Sequence, residues 1–192
     1  VLLSGSTVTQ ATFGSSQPNT EAGLHHYTVL ASVLHGSTTV FLSAGVDEFD
    51  ALAKYTKFKG DLKVSNTAGG IATLDIDANS ASVSNRVQIT GDLTYTGSES
   101  GRNNLRLQQV NIGDVFSATS GGAGDVVNFS YVSVVAQLAI ACGNSADQVS
   151  LDHTSAHSTT LDGGAGIDRL ILGPGNNLGQ KTIKNFESVQ QT

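Results

Sequence analysis

One cysteine, no tryptophan, no methionine and ten basic residues among 192 close off several readings at once. A single thiol, Cys142, allows no internal disulfide, so pairing says nothing of the redox compartment, and its alternating apolar neighbours predict a buried thiol rather than a reactive one. The ten Lys and Arg are outnumbered by 16 Asp and Glu, giving a net charge of -6, and they are scattered. Binding phosphates needs a concentrated basic face, so no nucleic-acid or anionic-membrane partner is expected. Lys54, Lys57, Lys59 and Lys63 form the one cluster and read as a solvated turn and strand. No apolar run approaches the roughly 20 residues that cross a bilayer. The longest candidate, residues 132–141, contains Ser133 and Gln137, so no membrane span is expected. No initiator Met and no basic region precede Val1-Leu2-Leu3. This leads to the expectation that a signal or a larger N-terminal part has been removed and that the chain is a fragment with flanking domains.

What the chain does have is hydroxyl: 41 residues are Ser or Thr, and only 14% are charged. Such a surface suits an all-β, extracellular protein. Apolar residues separated by one position point to the same face of a strand. Such pairs recur at Leu105/Leu107, Val127/Phe129, Val149/Leu151 and Leu170/Leu172, with Asn103, Asp125, Asp147 and Asp168 each two residues ahead. Going backwards, Val87/Ile89, Leu62/Val64 and Val40/Leu42 are taken to continue the series. A second strand per period is visible as Phe116-x-Ala118-x-Ser120, Leu138-x-Ile140-x-Cys142 and Thr159-x-Leu161-x-Gly163. About 22 residues rising about 3.3 Å each trace three short sides and their corners, so the period predicts one coil of a parallel β-helix. Seven coils are expected. A β-sandwich also has short strands and glycine turns, but it gives no reason for the recurring Asp.

The stacked sheets need covered ends. Residues 1–36 are read as an N-terminal cap and 37–192 as the β-helix, within one structural domain. Leu24, Tyr27, Ala31 and Leu34 between an N-cap at Asn19 or Thr20 and a stop at Gly36 suggest a capping helix; the competing reading makes residues 26–34 a strand. Residues 46–54 are read as a second short helical piece, with Asp47 and Glu48 in its first turn. Residues 182–186 are read as the last strand.

Three corners carry a motif. Gly163-Gly164-Ala165-Gly166-Ile167-Asp168-Arg169-Leu170-Ile171 fits G-G-x-G-x-D-x-U-x, with U a large apolar residue, at every fixed position. Gly121-Gly122-Ala123-Gly124-Asp125 lacks one residue before its Asp, and Gly143-Asn144-Ser145-Ala146-Asp147 keeps one glycine. These corners resemble the repeats-in-toxin calcium-binding glycine-rich loops, and the 22-residue coil resembles the right-handed parallel β-helix (β-solenoid) class of bacterial secreted proteins. The first resemblance implies Ca²⁺ held between coils by Asp125, Asp147 and Asp168 and the carbonyls of loops containing Gly122, Gly164 and Gly166. The other reading of the same residues is that each Asp or Asn caps its corner by accepting a backbone N–H.

The β-helix resemblance also implies a rival function, polysaccharide lyase or glycoside hydrolase. The outward positions Arg106, Asn128, Ser150, Ile171 and Gln108, Ser130, Asp152, Gly173 show no carboxylate pair, which glycoside hydrolysis needs. Asp152, His153 and His157 form the best remaining catalytic or metal-binding group, set against a solvated corner. His25, His26 and His35 are assigned to the cap surface; His25 and His26, being adjacent, cannot face one site. Asp75 and Asp77 face outward on one strand, where they meet a cation or nothing. The expected function is a non-catalytic, secreted or surface-attached module of a larger bacterial protein, used as a spacer, for adhesion, or to contact a polysaccharide or cell-surface ligand. An ice-binding solenoid would need regular Thr-x-Thr ladders, of which Thr94-Tyr95-Thr96 is an isolated instance.

Overall fold

Alternation of apolar and polar residues over short stretches commits this chain to strands with one buried face. A computed structural model describes residues 1–14, 24–52, 55–66, 69–80 and 85–192. Among the described residues every pairing between strands is parallel, and each turn of the chain lays down three sides. The first side stacks Leu2–Ser4, Leu24–Leu30, Val46–Leu52, Ile71–Asp77, the first half of Asn103–Ile112, the first half of Val126–Val134, Gln148–Asp152, Arg169–Leu172 and Ser188–Gln191. The second side stacks Thr7–Val8, Val33–Leu34, Lys57–Phe58, Val87–Ile89 and the second halves of the two long strands, and ends in bridges at Ser155 and Asn177. The third side is an eight-stranded sheet from Ala11–Phe13 to Gln180–Lys184. The molecule is a right-handed parallel β-solenoid of about eight coils, one more than the sequence count.

One corner explains why two strands run across two sides without a break. Gln109, Tyr131 and His153 follow the paired residues Gln108, Ser130 and Asp152, and all three are left-handed, with φ of 56°, 55° and 45°. Asn79 (φ 44°) turns the preceding coil. A single left-handed residue redirects the strand while its neighbours keep their inter-coil hydrogen bonds. The conformation is costly for side chains such as Tyr131, so packing must impose it.

The ladders behind these sides form one continuous core. Leu74, Leu105, Val127, Val149 and Leu170 stack on the first side, as do Ile76, Leu107, Phe129 and Leu151, all buried. Each such side chain stabilises the fold by roughly 1.5–3 kcal/mol. Rings link the sides: Phe116 of the third meets Phe129 of the first edge-on at 4.9 Å, and Phe13 lies 5.8 Å from Phe49 and 5.9 Å from Tyr27.

Two expectations are corrected. The described residues contain no helix: Leu24–Leu30 and Val33–Leu34 are strands, and Val46–Leu52 is a strand in place of the second helical piece. The N-cap assigned to Asn19 or Thr20 lies outside the described residues, as does Lys54. The helical spacing of Leu24, Tyr27, Ala31 and Leu34 lost to pairing, because Tyr27 and Val29 stack in register on Phe49 and Ala51. Strands from residues 1–36 thus pair directly with the next coil.

The backward ladder is also corrected. Leu62/Val64 and Val40/Leu42 belong to the third side, and Val87/Ile89 to the second, against Val110/Ile112. The true partners of Leu105/Leu107 are Leu74/Ile76, then Phe49/Ala51, then Tyr27/Val29. Apolar pairs with the same spacing occur on every side, and the coil from Leu74 to Leu105 is longer than its neighbours, so a fixed step slid onto the wrong ladder.

Register makes a direct prediction. Phe129→Ala should lose about 3–5 kcal/mol, whereas Asn128→Ala, one position away and facing out, should stay within about 0.5 kcal/mol. Urea denaturation of both variants checks it, and comparable losses would contradict the register.

Candidate functional site

Within Val46–Leu52 the alternation splits the strand: Asp47, Phe49 and Ala51 point inward, while Glu48 and Asp50 point out. Stacking then assembles an outward cluster on the first side. His26 lies over Glu48; Thr28, Asp50, Asp75 and Arg106 follow one another in a column, with Asp77 and Gln108 beside them. His26 Nε2 is 2.5 Å from Asp50 Oδ2 and 3.7 Å from Glu48 Oε2, with the Thr28 hydroxyl at 3.2 Å. Arg106 donates from Nη1 to both oxygens of Asp75 (2.8 and 2.9 Å), and from Nη2 to Asp77 at 2.8 Å and Gln108 Oε1 at 2.6 Å. Four carboxylates therefore meet one guanidinium and one imidazole. Burial, the neighbouring Asp50 charge and a hydrogen bond to Asp50 hold the Glu48 carboxyl above its ordinary range, against the pull of His26. Burial also raises Asp75, despite Arg106. Asp50 is only 6% exposed although it faces outward, and its Oδ1 has no hydrogen-bond partner among the described residues.

Asp75 and Asp77 do face outward and do meet a cation, Arg106. Two separate helical readings, one ending at Gly36 and one over residues 46–54, keep His26 apart from Glu48 and Asp50; strand pairing brings them together. The available signal was the V-D-E-F-D-A-L alternation, 22 residues beyond a matching run at Leu24 to Leu30.

The column of Asp125, Asp147 and Asp168 lies elsewhere, at an inward-facing corner. Each carboxylate accepts a backbone N–H from the coil before it: Asn103 N to Asp125 Oδ1 at 2.7 Å, Asp125 N to Asp147 Oδ1 at 2.6 Å, and Asp147 N to Asp168 Oδ1 at 2.8 Å. Glu187 extends the series, accepting from Asp168 N at 2.6 Å, and Asp47 opens it, accepting from His25 N at 3.2 Å. The motif glycines answer to the same stacking. A Cβ at Gly122 would lie 2.1 Å from the Glu99 carbonyl oxygen, one at Gly164 (φ 95°) 1.9 Å from that of Gly143, and one at Gly166 (φ 156°) 1.8 Å from that of Ser145. The Gly121, Gly143 and Ala165 carbonyls accept backbone N–H groups between coils.

The second oxygens of Asp125, Asp147 and Asp168 are buried and have no hydrogen-bond partner among the described residues. Burial raises all three carboxyls, and Asp147, flanked by the other two, is pushed up to about 7. Three carboxylates one coil apart do not converge on a point. Among the described residues, the one set of three His, Cys, Asp or Glu ligand atoms lying mutually within 4.8 Å is His26, Glu48 and Asp50.

Asp152, His153 and His157 do not form such a set. His153 Nδ1 contacts Asp152 Oδ1 at 3.0 Å, and its ring stacks on Tyr131 at 4.5 Å with 20° between planes, on the left-handed corner. His25 turns inward to Asp47 (3.0 Å) while His26 turns outward. Cys142 is buried and unpaired, its thiol raised by burial and by nearby carboxylates. No helix among the described residues is long and apolar enough to cross a membrane. No protein-family model matches the chain, and no curated protein or solved structure matches it either.

The Asp147 carboxyl sets a pH dependence. Its folded pKa of about 7 lies above the ordinary 3.8, so the folded state holds the proton more tightly than the unfolded chain does. Stability from this group is full below about pH 4, is lost as pH rises toward 7, and then stays level. Asp147→Asn keeps an acceptor for Asp125 N and cannot ionise. It should melt several degrees above the parent at pH 8, with the gap closing by pH 4. Melting curves across pH check this, and a gap independent of pH would contradict it.

Proposed function

We propose that the chain is a non-catalytic structural or adhesive module of a larger bacterial secreted or cell-surface protein, lying along a polysaccharide or another cell-surface ligand by its third side. The observation that carries the reading is an outward column on that side: Thr12, Thr39, Lys63, Thr94, Ser117, Ala139, Thr160 and Thr182 pair one on the next. Thr96 and Thr119 stand beside it, both exposed. Hydroxyls held at the strand spacing of about 4.8 Å offer donors and acceptors to sugar hydroxyls with little ordering cost, since β-branched side chains on a sheet are already stiff. Lys63 and Ala139 interrupt the column, which suits an irregular sugar chain better than a regular lattice such as ice.

In a panel of insoluble polysaccharides, the chain should be retained by at least one. The pair Thr94→Lys and Ser117→Lys should cut that retention at least tenfold at unchanged melting temperature, while Asn128→Lys on the first side should not. No retention across the panel, or retention indifferent to the pair, would sink the reading.

Calcium enters the same proposal through the corners at 121–125, 143–147 and 163–168, with their resemblance to repeats-in-toxin loops. The support is the row of orphan oxygens on Asp125, Asp147 and Asp168. Adjacent coils lie about 4.8 Å apart, roughly twice a Ca–O bond, so one ion could bridge neighbouring carboxylates when joined by loop carbonyls. Millimolar Ca²⁺ should raise the melting temperature of chelator-treated protein at pH 8, and Asp147→Asn should abolish the rise. Calorimetry without heat, together with an unshifted melt, removes calcium from the reading.

A second reading, a β-helix polysaccharide lyase or hydrolase, draws on the first side, where the carboxyls of Glu48 and Asp75 are both raised and Asp75 is paired with Arg106. A raised carboxyl is what a general acid needs. Incubation with uronides would separate the readings: new ultraviolet absorbance or reducing ends, lost in Glu48→Gln, favours the enzyme.

A further inference from the structure

We propose that His26, Glu48 and Asp50 form a binding site for a divalent transition-metal ion of borderline softness, with Zn²⁺ as the probe. The three side chains come from two adjacent coils and face outward on the first side, far in sequence from the glycine-rich corners. Their ligand atoms lie mutually within 4.8 Å, with His26 Nε2 at 2.5 Å from Asp50 and 3.7 Å from Glu48. Bonds of about 2.0–2.1 Å in a tetrahedron set ligand atoms roughly 3.3 Å apart, so the two separations straddle the needed edge and small side-chain rotations reach it. One imidazole and two carboxylates make a three-ligand set, leaving a fourth position for water. The imidazole discriminates against Ca²⁺ and Mg²⁺, which take oxygen ligands.

A second observation independently points to a cation. Asp50 is more than nine-tenths buried, and among the described residues the Oδ1 of the same carboxylate that faces His26 has no hydrogen-bond partner. A buried carboxylate with an idle oxygen is costly unless a charge meets it. Arg106 does not supply that charge, because its guanidinium is committed to Asp75, Asp77 and Gln108. The excess of carboxylates therefore remains on the His26 side of the cluster.

The site is tested on the whole chain after chelator treatment, by calorimetric titration with Zn²⁺ and by the visible spectrum with Co²⁺. One equivalent should bind in the micromolar range or tighter, and the bound Co²⁺ should give the intense absorption of a four-coordinate ion. His26→Ala and Asp50→Asn should each weaken Zn²⁺ at least tenfold, with His25→Ala and His153→Ala unchanged. If His26→Ala does not fold by circular dichroism, His26→Gln and the Zn²⁺-induced shift of the His26 ring resonances in the parent carry the test. No saturable uptake, uptake that survives loss of His26, or uptake lost in His153→Ala instead would overturn the site. Polysaccharide retention is read on the third side and is independent of these outcomes.

Discussion

Parallel hydrogen bonding from one coil to the next is the constraint on which the rest of this molecule depends. Once Leu105 is paired with Val127 and Val127 with Val149, the inward ladder, the outward columns and the corners are all set by the same register. A shift of one residue would exchange the two faces, placing Arg106 and Asn128 in the core and Leu105 and Val127 in water. The cost of burying those polar groups without partners makes the observed register steep.

The carboxylate column shows how the corners hold that register. Where a strand begins, the first backbone N–H has no carbonyl directly opposite, and Asp125, Asp147, Asp168 and Glu187 each reach up to the coil before them to accept it. The cost is charge in a dry corner: each of the three Asp has a second oxygen without a partner among the described residues, and their mutual repulsion falls hardest on the central Asp147. Asp47 performs the same task at the other end, but both its oxygens are engaged, by His25 and by the N–H of Ser43. The difference is local: at Asp47 the loop N–H of Ser43 engages the second oxygen.

The outward columns have the opposite character. Solvent is available there, so residue identity is free to vary from coil to coil, and the first side changes from carboxylates and imidazole over Leu24–Asp77 to amides and hydroxyls over Asn104, Asn128 and Ser150. The third side keeps hydroxyls through most of its length. A solenoid can thus carry distinct surfaces on separate sides of one frame, because the buried ladders alone maintain the coil.

The solenoid, its coil length and the recurring Asp corner were legible in residues 103–172, where steps of 22, 22 and 21 keep each ladder in phase. Inward parity of the apolar pairs, and the outward placement of Asp75 and Asp77, follow from strand alternation alone. The His26, Glu48 and Asp50 cluster was not legible, nor were the correct partners of Leu105 and Leu107 among the earlier coils. Helical spacing and strand alternation both fit Leu24 to Leu34 as local patterns. Only pairing with Val46–Leu52, whose hydrogen bonds come from a distant part of the chain, decided between them. Sequence by itself determined which residues shun water and how often they recur. Tertiary structure decided which coil each ladder joined, because coils of unequal length, such as that from Leu74 to Leu105, are brought into register by contacts that no local pattern contains.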